Sequence, residues 1–472
     1  MSLTCILCKV MESIIHEHIM AFFTTHGLIS KAQHGFLKRR GCATNLLETR
    51  DILTEAIHLG FSADVIYTDF AKAFDKVPHH LLLHKLSLSG IRGGLFEWIK
   101  AWLLGRKQRV VIGKNVSEWK SVTSGVPQGS VLGPLFFLVY INDLPTAISP
   151  SRSDTGPSSS SENSDSLEAR LNNCHVKLYA DDSKLIRVIR SQMDAVRLQN
   201  DIDAAVEWSH IWQLPFNVDK CKVMHVGKRS KLTHEYTMLC SDGSRRRLEV
   251  IKVERDLGVM VSDDLKVRAQ VEAAAARANS ELGRLKKAFH SRGCFLWRTL
   301  YLTYIRPHLE YAVQTWAPDL KGDIDLLQKV QDRVTKIITC FKGMSEESRS
   351  EALGLTSLQT RRERCDLLEQ FKIDHELVDV EFFVPRIRYS TEYNFRDTHN
   401  KRYKAQKFKS NDAKGQRFSF FTNRVGPWNS LSQEAVDAQS LGVFKSHLVE
   451  HGFAIELEQP YRCTHRQERT AQ

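Results

Sequence analysis

Two adjacent aspartates, Asp181 and Asp182, close a segment in which apolar and polar residues alternate, Val176-Lys-Leu-Tyr-Ala-Asp-Asp182. A period of two predicts a β-strand, with Val176, Leu178 and Ala180 on one face and Lys177, Tyr179 and Asp181 on the other. Asp181 then projects away from the side that buries the aliphatics. A third carboxylate, Asp69, ends another short β-rich run, Val65-Ile-Tyr67. If these strands are neighbours, Asp69 and Asp181 meet on one open face. Carboxylates that close repel one another unless cations neutralise them, and oxygen ligands favour Mg²⁺. Two such ions, roughly 3.5–4 Å apart, can activate an attacking hydroxyl and stabilise the leaving oxygen of an in-line phosphoryl displacement. A lone Asp-Asp is more often a hairpin turn, so the neighbouring sequence decides between the readings.

The 472 residues, 42% of them hydrophobic, suffice for two to four folding units. Residues 1–60 read as helix, turn and helix, with the turn at His26-Gly27 and a basic loop from Gln33 to Gly41. After Asp69, helix-compatible sequence runs through Leu86. A hairpin is expected from Gln108–Ile112 and Ser117–Val122 around Gly-Lys-Asn. Ser124-Gly-Val-Pro-Gln-Gly-Ser130 follows, with Ser130 placed to cap an apolar helix. Residues 149–166 lack apolar periodicity and read as a disordered surface insert. Helix is expected near Val196–Trp212, and strands near Lys222–Val226, Leu248–Val253 and Leu257–Val261. Such alternation gives an α+β class. Beyond Asp264 the sequence is helical, and from Arg386 to Arg424 it is basic, interleaved with Tyr389, Tyr393, Phe395, Tyr403, Phe408 and Phe418.

A net charge of +12 favours a polyanionic partner. The ten cysteines are scattered, and Cys5-Ile-Leu-Cys8 lacks a second pair to complete a zinc site, so they read as reduced, mostly core thiols of an intracellular protein. The apolar start, Leu3 to Phe23, is broken by Lys9, Glu12, His16, Glu17 and His18, which fits an amphipathic helix rather than a signal peptide. Val131–Ile141 is too short to cross a bilayer. Neither membrane insertion nor secretion is expected.

Ile66-Tyr-Thr-Asp-Phe-Ala-Lys-Ala-Phe-Asp75, Ser124-Gly-Val-Pro-Gln-Gly-Ser-Val-Leu-Gly-Pro134 and Tyr179-Ala-Asp-Asp182 resemble, in order, motifs A, B and C of reverse transcriptases. The wording is similar to that of the non-LTR retrotransposon branch, particularly its jockey-like elements. Gln33-His-Gly-Phe36 resembles a fingers motif, Asn217–Lys220 resembles motif D, and Leu257-Gly-Val259 resembles the primer grip. The resemblance implies a right-hand polymerase. Partial fingers would occupy 1–60, a palm of antiparallel sheet and helices 61–262, a helical thumb 263–345, and a mainly helical basic extension 346–472.

It further implies RNA-directed DNA synthesis from a primer 3′-hydroxyl, with an RNA template, a DNA primer, deoxynucleoside triphosphates and two Mg²⁺ or Mn²⁺ ions, in the nucleus. Asp69, Asp181 and Asp182 would be the metal-binding aspartates, with the Phe70 backbone carbonyl completing the shell. Phe74 would be the steric gate below the sugar, where an aromatic ring clashes with a ribose 2′-OH; read alone, it is a core aromatic. Gln128, Gly129 and Tyr179 would lie against the incoming nucleotide. Lys220 would serve the departing pyrophosphate, or be a solvated lysine. Arg39 and Arg40 would contact template phosphates, or form a solvated basic loop. Leu257 and Gly258 would contact the primer. Asp75 reads as shaping a turn, and His80 with His84 as helix surface before zinc. The basic-aromatic C-terminal segment suits single-stranded nucleic acid or an ordinary helical surface, and Cys463 with His465 is too sparse for a knuckle.

The sequence departs from the family at Leu37, where relatives commonly carry arginine, and it opens where the fingers would already be under way, with no endonuclease ahead. The alternative from another class is therefore a truncated, inactive nucleic-acid-binding relic.

Overall fold

The computed structural model describes residues 5–149, 167–227, 234–383, 399–404 and 426–453. They fall into two compact units, Met1–Asn45 with Gly60–Lys252, and Leu46–Leu59 with Val253–Gln472. Most of 149–166, the aromatic residues Tyr389, Tyr393, Phe395, Phe408 and Phe418, and Cys463 with His465 lie outside the described residues.

The first unit opens with α1 (Ile6–Thr25), turns at His26-Gly27 as expected, and runs through the Gln33–Gly41 loop into α2 (Cys42–His58), most of which belongs to the second unit. Burial along α1 departs from a simple amphipathic pattern. Ile19 and Phe23 are buried, Ile6, Leu7, Val10, Met11 and Ile14 are exposed, and the acid Glu12 is buried. Strand β1 (Ser62–Thr68) follows. The expected helix after Asp69 is present but breaks at Pro78 into α3 (Ala73–Lys76) and α4 (His79–Leu88), because proline cannot donate to a helical turn. Next come α5 (Gly93–Leu103) and an arm containing the short strands β2 (Lys107–Gln108), β3 (Val111–Ile112), β4 (Asn115–Val116) and β5 (Lys120–Ser121). The apolar helix α6 (Leu132–Ile141) is buried nearly all round, and the Gly133 amide donates to Ser130 Oγ at 2.9 Å, the expected cap.

The sheet at the centre of this unit takes β6 (His175–Tyr179), β7 (Asp182–Ile189) and β8 (Lys222–Val226) around β1, with a last edge strand, Glu249–Ile251. Strand β1 is antiparallel to both β7 and β8, which buries Ala63, Val65 and Ile66 completely. The expected antiparallel character stops at the edge, where Glu249–Ile251 runs parallel to β8. Along β6 the alternation is as read, with Val176 and Leu178 buried and Lys177 and Tyr179 partly exposed. The capping box Ser191–Asp194 starts the helix Gln192–Ile211, which packs against β7. The sheet and helices thus form one α+β layer arrangement.

The second unit holds a hairpin, Val253–Asp256 with Val259–Ser262, which the sequence reading grouped with the sheet, and then the expected helices. In Arg268–Ala288 the small residues Ala274, Ala275 and Ala278 face the core and let Lys321–Thr335 pack closely. Tyr403 is buried with Phe371, Trp428 and Phe444 in a separate cluster, so that ring is core rather than open surface. All nine described cysteines are free. Four are buried (Cys174, Cys221, Cys240, Cys294) and Cys5, Cys8 and Cys340 are exposed, so fewer are core thiols than the sequence suggested. Among the described residues no helix is long and apolar enough to cross a membrane.

One buried cation stands out behind the sheet. Lys85 Nζ donates to Asp143 Oδ1 at 2.6 Å and lies 3.6 Å from the Trp212 ring centre and 4.8 Å from that of Trp208. Burial pulls its pKa down to about 8, against the opposing pull of Asp143. Below pH 8 the folded protein carries the full cost of holding the ammonium out of water. Between about 8 and the unfolded value of 10.5 the folded state releases its proton first, so stability conferred by this residue rises with pH. Urea denaturation at pH 7.5 and 10 is therefore expected to show wild type gaining stability relative to Lys85→Met; parallel pH dependences would refute it.

Candidate active site

The register of the central sheet carries Asp69 to Asp181. Strand β1 pairs with β7 so that Thr68 stands opposite Ser183, with Thr68 Oγ1 donating to the Ser183 carbonyl at 3.0 Å. Strands β6 and β7 close at Tyr179 and Asp182 through the two-residue turn Ala180-Asp181. One step beyond Thr68, Asp69 therefore leaves the sheet beside this turn. Burial and the nearby Asp69 carboxylate both push the Asp181 pKa up. Asp182 is exposed at the start of β7. Among the described residues, no three His, Cys, Asp or Glu side chains converge as a ready-made metal cage.

The turn is strained. Ala180 takes φ of 55°, a left-handed conformation costing an L-residue on the order of 1–2 kcal/mol. Gln33 offsets that cost. Its Oε1 accepts from the Ala180 amide at 3.0 Å and from the Gly35 amide at 2.7 Å. The backbone of the same loop pairs with β6, His34 N donating to the Leu178 carbonyl and Leu178 N to the Ala32 carbonyl, each at 2.9 Å. Gly35 is required here, because a Cβ would lie 2.5 Å from Ala180 N. The fingers-like motif thus clamps the aspartate turn, a role for Gln33 that the sequence did not expose. Gln33→Ala leaves two buried amides unpaired, and each costs roughly 1–3 kcal/mol. Loss of thermal stability, with amide exchange at Ala180 speeded more than at β8, is the expected outcome; uniform exchange across the sheet would count against the clamp.

Asp69 is held from its other side. The segment Phe216-Asn217 pairs with it, Asn217 N donating to the Asp69 carbonyl at 2.7 Å and Ala71 N to the Pro215 carbonyl at 2.9 Å. Those bonds leave the Phe70 carbonyl outside that short ladder, while its ring is buried and stacks on Phe216 with centroids 4.3 Å apart. The following turn, Val218–Lys220, brings Lys220 Nζ to 3.2 Å from Asp69 Oδ2. That contact lacks hydrogen-bond geometry, and Oδ2 is a buried oxygen with no hydrogen-bond partner. The Tyr179 hydroxyl is pushed up to about 12, chiefly by its hydrogen bond with Cys42, and then by burial.

Motif B packs directly on motif A. Val126 N donates to the Phe74 carbonyl and Gly125 N to the Val77 carbonyl, each at 2.8 Å, and Ser124 Oγ donates to the Asp75 carbonyl at 2.9 Å. Gly125 has φ of 84°, and a Cβ there would meet Asp75 O at 2.7 Å. Asp75 thus meets the motif B loop through its backbone carbonyl, from within α3. The loop then exposes Gln128 and Gly129. Its far end is fixed by the buried Glu12, whose Oε2 accepts from Val131 N at 2.7 Å at the start of α6, and whose Oε1 accepts from Trp102 Nε1 at 3.1 Å. Phe74 is half-buried, stacked on Phe137 at 4.5 Å, and met edge-on by Phe36 at 6.5 Å.

Arg40 donates to the Lys31 and Gln33 carbonyls and so braces its own loop, while Arg39 is exposed at φ of 67°. Leu257 and Gly258 form the turn of the hairpin in the second unit, both at positive φ, with Tyr311 Oη donating to the Leu257 carbonyl at 2.9 Å. Of His80 and His84, the latter lies near the Trp212 ring, at 6.5 Å.

Fold and site together define an α+β protein with an acidic centre where one sheet strand meets a neighbouring hairpin turn. The chain belongs to the reverse transcriptase (RNA-dependent DNA polymerase) family, whose model matches residues 1–255. It is 24% identical over 339 residues to the RNA-directed DNA polymerase from mobile element jockey of Drosophila melanogaster, covering 71% of this chain and 34% of that protein. Similarity to the probable RNA-directed DNA polymerase from transposon X-element of the same organism is again 24%, over 343 residues, covering 71% and 34%. The chain thus spans about a third of the length of these curated relatives. The apo telomerase of Candida tropicalis resembles it with a TM-score of 0.38 at 11% identity, covering 93% of this chain and 58% of that one. The reading of the sequence as a non-LTR retrotransposon reverse transcriptase agrees with the family match and with these mobile-element relatives.

Proposed function

We propose that the chain performs RNA-directed DNA synthesis, adding deoxynucleotides to a primer 3′-hydroxyl, with Asp69 and Asp181 at the reacting centre. The observation that carries this is the convergence of these two aspartates beside one strained turn, with motif B packed onto the same element. The donor set fits a hard divalent cation: Asp69 presents a buried oxygen without a hydrogen bond, and Asp181 is held against its neighbour's charge. Mg²⁺ characteristically binds through one or two carboxylates and completes its shell with substrate phosphates, so two converging aspartates suffice before substrate arrives. Asp182 and the Phe70 carbonyl would complete the set. Bound there, Mg²⁺ or Mn²⁺ would supply Lewis-acid activation of the hydroxyl and charge neutralisation at the phosphoryl group.

The other residues bind and orient. Lys220, close to Asp69, would turn to the departing pyrophosphate once a cation takes the carboxylate. Gln128 and Gly129, exposed at the loop, would meet the incoming nucleotide, as would Tyr179; Arg39 and the braced Arg40 would lie along the template. In this reading residues 1–60 are partial fingers, 61–262 a palm, 263–345 a thumb whose Leu257-Gly258 neighbour grips the primer, and 346–472 a basic extension. The RNA template, DNA primer, deoxynucleoside triphosphates and a nuclear setting belong to the same proposal.

Phe74 carries the sugar test. Its ring stacks on Phe137 on one face and is met edge-on by Phe36, packing that would hold it beneath the sugar. Phe74→Ala is expected to raise ribonucleotide incorporation relative to deoxyribonucleotide by roughly tenfold or more, about 1.4 kcal/mol of lost discrimination. Primer extension with each nucleotide class measures it, and unchanged sugar preference would remove Phe74 from the gate.

A further inference from the structure

The arm between α5 and motif B has no part in the site described. All fifteen residues from 107 to 121 are exposed, including Ile112 at 73% and Trp119 at 58%. An isolated two-stranded hairpin is at best marginal in water, and an open apolar edge invites aggregation, so such an arm needs a reason to stay uncovered. Its charge supplies one. Arg106, Lys107, Arg109, Lys114 and Lys120 face a single acid, Glu118, over 106–121.

Its geometry is specific. The tip pairs Val111 with Val116 and Ile112 with Asn115, but at the root Lys107 pairs with Ser121 and Gln108 with Lys120. One extra residue has entered the returning strand, a bulge that increases local twist. At the root register Arg109 comes opposite Trp119, and its guanidinium lies 4.6 Å from that ring centre. One indole face is therefore covered by a cation while most of the ring stays accessible. The arm is also anchored: Val122 N donates to the Arg106 carbonyl at 2.9 Å, and the Arg106 guanidinium donates to the Gly125 carbonyl at 2.7 Å, in the loop that presents Gln128.

We propose that the arm 107–121 is a clamp for single-stranded RNA, with Trp119 stacking on an unpaired base and Lys107, Arg109, Lys114 and Lys120 meeting successive phosphates. An aromatic plate flanked by cations suits unpaired bases, which offer a ring face, and not a closed duplex, whose base faces are stacked away. The proposal rests on the polymerase reading for the identity of the strand as template, but not for its chemistry.

The test uses the full chain and a labelled 20-nucleotide RNA, followed by fluorescence anisotropy across a salt series. Trp119→Ala is expected to weaken binding at least about fivefold. Lys107→Gln, Arg109→Gln, Lys114→Gln and Lys120→Gln combined is expected to flatten the slope of log affinity against log salt by about 0.7 for each phosphate that is no longer neutralised. Extension at saturating template should keep its maximal rate in both variants, with the loss confined to the template concentration required. Affinity and slope unchanged in both would overturn the clamp while leaving the polymerase reading intact. Arm-dependent RNA binding by a chain that extends no primer would sustain the clamp and sink that reading. Self-association abolished by the substitutions, with RNA binding untouched, would instead make the arm an interface between copies and overturn the proposal.

Discussion

Asp181→Asn and Asp69→Asn are each expected to lower the rate of nucleotide addition by roughly a thousandfold or more, with primer–template affinity nearly unchanged. The size follows from the site: two carboxylates meet beside one turn, and replacing either removes a ligand charge worth several kcal/mol in a phosphoryl-transfer transition state. Single-turnover primer extension separates the chemical step from binding. The amide keeps the shape of the carboxylate, so Gln33 and the β6–β7 turn should hold and both variants should melt as wild type does. A variant that folds, binds primer–template and retains near wild-type turnover would remove that aspartate from the centre.

The largest expected effect on stability lies behind the sheet. Arg187 and Asp201 are both buried, and Arg187 Nε and an Nη donate to the same Asp201 oxygen at 3.0 and 2.6 Å. Arg187→Leu strands a carboxylate in the core, and such losses cost roughly 3–5 kcal/mol. The double change Arg187→Leu with Asp201→Leu is expected to recover most of that, because the cost comes from the unpaired charge and not from loss of the pair itself. Urea midpoints for wild type, both single variants and the double variant measure the coupling. Additive losses in the double variant would mean no coupling between the two residues and would contradict this account.

What could be read from the sequence was whatever depends on short-range pattern. The alternation of Val176 and Leu178 with Lys177 and Tyr179 placed β6 and its faces, but Ala180 and Asp181, read as its continuation, lie in the turn. The β-rich run ahead of Asp69 placed β1, and the alanine-rich stretch after Val271 placed the long helix of the second unit. The condition set on the sequence, that the strand ending at Asp69 neighbours Val176–Tyr179, is not met, because β7 lies between β1 and β6; Asp69 comes beside Asp181 through the pairing of β1 with β7 and the turn that joins β7 to β6. Long-range hydrogen bonds were not legible. Glu12 looked like a break in an apolar run, yet it holds the start of a helix 119 residues away. Gln33 belonged to a recognised motif, but its bond to Ala180 spans 147 residues.

Local competition explains other departures. The helix after Asp69 splits because Pro78 lies within it, and the edge strand at Glu249–Ile251 runs parallel to β8, a direction that three residues do not encode. Lys220 reaches Asp69 through the pairing of Phe70 with Phe216, a contact made by aromatic packing and not announced by any charge pattern. The bulge in the arm was equally invisible, since one inserted residue leaves composition unchanged.

The most direct measurement is extension of a labelled DNA primer on an RNA template by the purified chain, with deoxynucleoside triphosphates and Mg²⁺, and with a chelator as control. Stepwise lengthening of the primer that follows the template sequence and stops on chelation is the expected result. A folded chain that binds the primer–template and leaves the primer unextended with either Mg²⁺ or Mn²⁺ would contradict it.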